Sequence, residues 1–235
     1  MMRSNGYAHE YRVEDGGHSS SYWKAALEEV LPYFSSRMAG ETGWEKVLKT
    51  PSVPEDCAFD GDGVFLSPGY VEAGKKDGAA IYFLHKGLDA TWVKEAMAIL
   101  QRGMGSKKFV ILPCDLEQKT VREWRSFYHD LYPTASNQAV AVGEAGLQAW
   151  EARDLFTSFY FDNALLPENP APDTAKYYYI GQTDDGPHYV SANALYKACK
   201  LGGADFEYRC RNTQQDAHAD FLCGVEYVKS NLKNL

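Results

Sequence analysis

Short apolar segments alternate with longer helical patterns along most of this chain, and this alternation limits the possible folds more than any other feature. Continuous apolar runs suit strands that are buried on both faces of a parallel sheet. Six segments have this character: 81–84, 108–112, 139–142, 156–161, 177–180 and 206–209. Helical spacing of apolar residues occupies 91–102, 120–131 and 191–200. The alternation implies right-handed strand–helix–strand crossovers, and therefore an α/β fold with a doubly wound, mostly parallel sheet and helices on both faces.

The first forty residues interrupt this order. They contain a strand pattern at 9–13, a turn at 14–17 and an amphipathic helix over 20–37, with Pro32 predicted to kink or break it. The apolar face of that helix is predicted to consist of Leu27, Val30, Leu31 and Phe34. Residues 39–56 have the Gly and Pro content of a linker, and 57–74 are predicted to form a leading hairpin. We therefore divide the chain into an extra strand–helix unit, 1–40, and a main domain, 41–235.

The two ends of the chain resemble each other. GYAHEYRVEDGGHSSSYWKAALEEVLPYF near the start can be aligned with GADFEYRCRNTQQDAHADFLCGVEYVKSN near the end. Both segments have Glu-Tyr-Arg on a strand, then a turn, a histidine, and aromatic residues at the start of a helix. The placement of both copies at the ends of an α/β pattern favours a partial internal repeat.

Composition narrows the possible partners and the compartment. The 235 residues include 24 Lys and Arg and 32 Asp and Glu, a net charge of −8 that argues against nucleic acid or an anionic membrane as the main partner. There is no run of eighteen apolar residues and no apolar core in the N-terminal segment, so neither a membrane span nor a secretory signal is expected. Five cysteines without a C-x-x-C pair indicate reduced thiols and a cytoplasmic location.

The segment QAVAVGEAGLQAW, residues 138–150, carries the main functional signal. An apolar run ends in Val142-Gly143-Glu144-Ala145-Gly146, and a helical pattern follows. In α/β-hydrolases a strand turns sharply into a helix through G-x-S-x-G, which exposes the nucleophilic serine. Here a glutamate stands at the central position of that pattern.

The segments around this turn resemble the esterase branch of the α/β-hydrolases, which includes esterase D-like and feruloyl-esterase-like enzymes. IYFLHKG is similar to the strand end that bears the oxyanion loop, which is usually His-Gly-Gly. YYYIGQTDD resembles the strand whose following loop carries the catalytic acid. EYRVEDGGHSSSYWKAALEEVLPYF, near the start of the chain, resembles the last strand, histidine loop and closing helix of the family.

The resemblance implies a set of site residues. The nucleophile position falls on Glu144, and the acid position on Asp185, with Asp184 as the less favoured choice. The histidine position falls on His218 in the C-terminal copy and, with the better match, on His18 in the N-terminal copy. The oxyanion-binding N–H groups would come from Lys86 or Gly87, together with Ala145.

The glutamate makes ordinary serine hydrolysis unexpected at this turn. A serine attacks an ester because a histidine takes its proton as the bond forms, whereas a carboxylate would have to form a mixed anhydride. Loss of the triad serine in a protease of this type costs on the order of 10⁶ in turnover.

Other roles for these residues remain open. Glu144 could be a solvated turn residue, or it could pair with His218 or Lys86 and lock an inactive site. Asp184 and Asp185 could cap the next helix, and His85, His188 and His218 could be structural or surface histidines. A metal site built from the acidic residues and histidines at this edge has no ligand spacing to support it, so no metal and no cofactor is expected.

Three functions follow as hypotheses. The first is a degenerate esterase-like domain that serves binding or assembly, with a small-molecule ester or acyl ligand as its possible partner. The second is an active carboxylic-ester hydrolase with another nucleophile, Ser67 or Ser136. The third is a subunit, or the second half of a tandem esterase, that donates His18 to a partner's active site. Because two similar tail units compete for one sheet edge, a homodimer by exchange of residues 1–38 is also predicted.

Overall fold

The computed structural model describes residues 11–14, 27–28, 30–32, 63–72, 78–102, 104, 107–184, 186–211 and 216–232. Its strands are β1 Tyr11–Glu14, β2 Phe65–Leu66, β3 Ala79–His85, β4 Phe109–Asp115, β5 Ser136–Val142, β6 Ser158–Asp162, β7 Tyr177–Thr183 and β8 Asp205–Arg211. Its helices are α1 Pro68–Glu72, α2 Ala90–Gln101, α3 Val121–His129, α4 Ala145–Glu151, α5 Tyr189–Gly202 and α6 Ala217–Asn231, with a 3₁₀ turn at Arg153–Leu155. Residues 27, 28 and 30–32 are also helical.

All eight strands form one sheet in the order β1-β8-β7-β6-β5-β3-β4-β2. The pairs from β4 through β3, β5, β6 and β7 to β8 are all parallel. The two edge strands run antiparallel, with β2 on β4 and β1 on β8. The predicted doubly wound, mostly parallel sheet is therefore confirmed, and all six predicted strand segments lie in it.

Helices cover both faces of the sheet. On one face, α2 and α6 pack their apolar residues over β3, β4, β5, β6 and β7, with Ile99 and Val225 fully buried. On the other face, α3, α4 and α5 form the second core, where Ala149 and Leu195 are fully buried. Tyr177, Tyr178 and Tyr179 lie in these cores, so the tyrosine run is strand core.

Local sequence signals set the helix ends. Thr120 and Glu123 form a reciprocal capping box at the start of α3. Asp89 accepts a hydrogen bond from the Thr91 backbone N–H at the start of α2, and Asp216 does the same for His218 at the start of α6. These caps fix the helices whose first turns lie near the carboxyl edge of the sheet.

The hairpin predicted at 57–74 is described only in part, because 57–62 and 73–74 lie outside the described residues, so it stays a prediction. In the described part, β2 pairs with β4 and Pro68 begins a helix, as proline readily does at a first turn. β4 extends beyond the predicted segment, through Pro113 to Asp115. Among the described residues, β2 pairs only with Val110 and Ile111. Pro113 lies beyond that pairing, where a missing N–H is tolerated.

The N-terminal unit is described only in part. Its strand lies at 11–14, and residue 32 is still helical. Leu27, Val30 and Leu31 of the predicted apolar face are 49%, 42% and 58% exposed, whereas Phe34 lies outside the described residues. The division at residue 40 and the linker also stay predictions.

Four of the five cysteines, at positions 114, 199, 210 and 223, are free and buried, and Cys57 lies outside the described part of the chain. No helix among the residues described is long and apolar enough to cross a membrane.

Candidate functional site

The six parallel strands bring their carboxyl ends to one edge of the sheet. The segments after β3 and β5 carry the oxyanion-loop and elbow residues, Asp184 directly follows β7, and His218 lies in the first turn of α6, after β8. Ligands of open α/β sheets bind at this edge.

The turn after β5 is sharp, and its residue in the left-handed conformation, which would be strained for a residue with a side chain, is Gly143. Gly143 has a φ of 56°, in the left-handed region, whereas Glu144 has helical angles of −63° and −16° and directly precedes α4. The Gly143 N–H donates to the Asp162 carbonyl at 3.4 Å, and its own carbonyl accepts from the Leu165 N–H at 2.9 Å. A nucleophile elbow holds its serine on such a strained strand-to-helix turn. The strained position of this turn lies one residue before the glutamate.

The surroundings of the two glycines of the turn differ. A Cβ added at Gly143 would meet no atom within 4 Å, so the turn opens into free space there. A Cβ at Gly146 would lie 2.5 Å from the Leu165 carbonyl oxygen. Gly146 therefore permits the close approach of α4 to the chain after β6.

Glu144 points outward and contacts His188. Its side chain is 58% exposed, and Oε1 lies 3.4 Å from Nε2 of His188, whose side chain is 15% exposed. His188 is the residue directly before α5. Sequence reasoning found no partner for His188, because the two residues are far apart along the chain and meet only through the packing of α5 beside the elbow.

His218 is held on the other face of the sheet, against α2. Its Nε2 lies 2.6 Å from Oε2 of Glu95, and its ring stacks on Trp92 with centroids 4.9 Å apart. Among the described residues, no hydrogen bond or ion pair joins Glu144 to His218 or Lys86. The alternative in which Glu144 pairs with either residue is therefore wrong: Glu144 contacts His188, and His218 contacts Glu95.

The predicted acid and the N-terminal histidine cannot be placed. Asp185 and His18 lie outside the described residues. Asp184 directly follows β7, where its N–H donates to the Arg211 carbonyl at 2.8 Å. It does not cap the next helix, since His188 occupies that position.

The oxyanion-loop residues lie at the end of β3. Lys86 and Gly87 are exposed, Gly87 has a φ of 67°, and a Cβ built on it would lie 3.3 Å from Oε1 of Glu117. Ala145 is fully buried at the first turn of α4. A carboxylate thus lies beside the loop that would have to bind a developing anion.

His85 precedes this loop and is 6% exposed. Burial lowers the pKa of its imidazole, and the nearby charge of Asp115 opposes this only in part. Its Nδ1 has no hydrogen-bond partner among the described residues. The ring is therefore a buried neutral group rather than a cationic one at neutral pH.

A buried ion pair next to the elbow was not foreseen. Arg211, the last residue of β8, reaches across β7 to Asp162, the last residue of β6, with N–O distances of 2.6 Å and 2.9 Å. Their side chains are 1% and 3% exposed. A Cβ at Gly181 or Gly224 would lie 2.6 Å or 1.9 Å from a carboxylate oxygen of Asp162, so both glycines make room for the pair. The sequence offered one signal for this pair, because a charged residue ends each of the two otherwise apolar strands.

The two alternative nucleophiles lie in other places. Ser67 is 1% exposed; its Oγ donates to the Lys107 carbonyl and accepts from the Phe109 N–H at 2.9 Å. Ser136 begins β5, at the end of the sheet opposite to the elbow. No group of three or more His, Cys, Asp or Glu that could hold a metal ion occurs among the residues described.

Comparison with known proteins supports the fold. Neither a protein-family model nor a curated protein sequence matches the chain. Among solved structures, the chain is similar to a ferulic acid esterase, with a TM-score of 0.52, 14% identity, and coverage of 74% of this chain and 96% of that one. It is also similar to a substrate-bound fluorophosphonate-binding serine hydrolase F of Staphylococcus aureus, with a TM-score of 0.51, 8% identity, and coverage of 71% and 89%. The chain has an α/β-hydrolase-like fold. At these identities the likeness shows the fold alone.

Proposed function

We propose that this chain is a degenerate esterase-like domain that lacks serine-hydrolase activity and serves binding or assembly. The main observation behind the proposal is the backbone conformation of the turn after β5. Its strained position is occupied by Gly143, which has no side chain, and the glutamate after it lies in helical conformation and faces solvent. We therefore infer that Gly143, rather than Glu144, corresponds to the nucleophile.

The neighbouring contacts support the same conclusion. A serine nucleophile needs a base within hydrogen-bond reach and a site for the developing oxyanion. His218 is engaged by Glu95, His188 contacts Glu144, and the Glu117 carboxylate lies beside Gly87. A carboxylate at that place opposes the charge that develops in acyl transfer.

The test uses a fluorophosphonate probe and a short-chain nitrophenyl ester on the full chain. We expect no covalent labelling and no turnover above the buffer rate. Stoichiometric labelling would overturn the proposal, and peptide mapping would then identify the nucleophile. Variants Ser67→Ala and Ser136→Ala serve as matched checks on the two other candidates.

Serine variants at the two elbow positions test our assignment of the nucleophile. Both Gly143→Ser and Glu144→Ser introduce one hydroxyl, but only residue 143 has the strained backbone and the open space. We expect the probe to label Gly143→Ser at least ten times faster than Glu144→Ser, with neither variant reaching efficient ester turnover. Faster labelling of Glu144→Ser would return the nucleophile position to Glu144.

The partner predictions stay proposals. A small ester or acyl ligand at the elbow edge can be tested by titrating methyl butyrate and following the thermal transition of the full chain. Donation of His18 to a partner's site predicts that His18→Ala reduces ester hydrolysis only in a mixture with a serine-bearing partner.

A further inference from the structure

The edge strand β1 pairs with the strand that it repeats. Tyr11 and Arg12 belong to one copy of the Glu-Tyr-Arg motif, and Tyr208 and Arg209 to the other. The two strands run antiparallel, with Tyr11 opposite Cys210, Arg12 opposite Arg209, Val13 opposite Tyr208 and Glu14 opposite Glu207.

This register has a local two-fold axis. Because the paired segments are repeats, the residue equivalent to Tyr208 is Tyr11, and the residue equivalent to Cys210 is Val13. Tyr11 lies opposite Cys210, and Val13 lies opposite Tyr208, so the two pairs exchange places when each residue is replaced by its equivalent. Arg12 lies opposite its own equivalent, Arg209. The axis therefore passes through the Arg12–Arg209 pair. Two copies of one strand related in this way form an isologous interface, as in a two-fold dimer.

We propose that the β8 edge is a self-pairing edge: a second copy of this chain fits it through its own β8, and β1 occupies that place within a single chain. This proposal rests on the assembly role proposed above. It identifies the partner as a second copy of the chain and specifies how the two copies pair. In the dimer, the two-fold axis passes through Arg209, and each β8 adds to the other sheet as an antiparallel strand.

Covalent connection explains why β1 holds the edge in an isolated chain. A segment on the same chain competes at an effective concentration that reaches the millimolar range for a flexible connection, whereas a second copy is present at its bulk concentration. The full chain is therefore a monomer at micromolar concentration, and release of β1 converts it to a dimer.

The first experiment releases β1 in the full chain. Arg12→Pro/Val13→Pro removes two neighbouring N–H groups, one of which must face β8 in an antiparallel pair, while Arg12→Ala/Val13→Ala keeps both. Light scattering at micromolar concentration should give the dimer mass for the proline variant, and the monomer mass for wild type and the alanine variant. Circular dichroism and a cooperative thermal transition establish that each variant is folded. A folded, monomeric proline variant overturns the proposal.

The second experiment locates the axis with single cysteines in the proline variant. Oxidised Arg209→Cys should give a disulfide-linked dimer, because residue 209 faces its counterpart across the axis at a distance that a disulfide can span. Glu207→Cys should not, because its position faces residue 211. Equal cross-linking at 207 and 209 contradicts the register, and so does the absence of cross-linking at 209 in a dimer.

The third experiment separates this arrangement from exchange of residues 1–38. With otherwise wild-type sequence, oxidised Arg12→Cys/Arg209→Cys should give a disulfide within one chain, seen as a monomer mass without reductant. A disulfide-linked dimer would show that β1 pairs with the partner's β8. That result would contradict our inference that β1 pairs with β8 of its own chain. All three experiments measure the mass of the protein, whereas the proposed lack of activity is tested by ester turnover. The two proposals can therefore fail independently of each other.

Discussion

Two neighbouring parts of the carboxyl edge are packed in opposite ways. At the elbow, a Cβ added to Gly143 would meet no atom within 4 Å, and Glu144 is 58% exposed. One strand away, Asp162 and Arg211 are almost fully buried, and Gly181 and Gly224 leave no room for a Cβ beside them. The comparison indicates that the elbow can change its chemistry at little cost to folding, whereas the adjacent ion pair constrains the fold.

The largest expected effect comes from breaking the buried pair. Asp162→Asn leaves the Arg211 charge buried without its carboxylate, which typically costs about 3–5 kcal/mol. Urea unfolding followed by circular dichroism measures the loss. The matched control is Asp154→Asn, because Asp154 pairs with Arg122 at 2.6 Å but both side chains are more than half exposed. We expect no measurable change in the control, and similar losses in both variants would contradict the contrast between buried and exposed pairs.

Adding one methyl group beside the ion pair or at the elbow should lower the free energy of unfolding by a smaller amount. Gly224→Ala would place Cβ 1.9 Å from an oxygen of Asp162, and such overpacking costs about 1–3 kcal/mol, even though alanine favours a helix over glycine by about 1 kcal/mol. Gly143→Ala meets no atom and bears only the left-handed backbone, about 1–2 kcal/mol.

A double-mutant cycle tests whether each added methyl group acts on the buried ion pair. Gly224→Ala displaces the ion pair, so the cost of adding Asp162→Asn to it should be smaller than in wild type, whereas the cost in a Gly143→Ala background should be unchanged. Such a double-mutant cycle by urea unfolding separates a local clash from general destabilisation. Equal coupling of both glycines to Asp162 would contradict the different packing of the two regions.

The sequence predicted the parts of this molecule that depend on periodicity. Apolar runs placed all six core strands, and helical spacing placed α2, α3 and α5, because burial on two faces or on one stripe leaves a regular pattern. The short β2 and the helix at Pro68 were missed. A two-residue strand has no period, and proline can begin a helix as well as form a turn.

The site was less predictable, because its contacts join distant segments. The G-x-S-x-G spacing places the nucleophile on Glu144, but the backbone takes its positive φ at Gly143, where glycine adopts that conformation without the steric cost that a glutamate would bear. The contacts of Glu144 with His188 and of Arg211 with Asp162 depend on how strands and helices pack side by side. Nothing in the local sequence of either partner specifies the other.

The smallest expected effect concerns His85, which lies on the elbow side of the comparison and yet is buried. Burial lowers the pKa of its imidazole in the folded state, so as the pH falls through about 6.5 the unfolded chain takes up a proton that the folded chain does not. This site therefore makes stability decrease from pH 7 to pH 5, and the decrease ends once the pH passes below the folded pKa. His85→Asn should flatten the pH dependence of the free energy of unfolding over this range. An unchanged slope in His85→Asn would mean that folding does not lower the pKa of this ring, and the elbow side would then be as open at β3 as it is at Gly143.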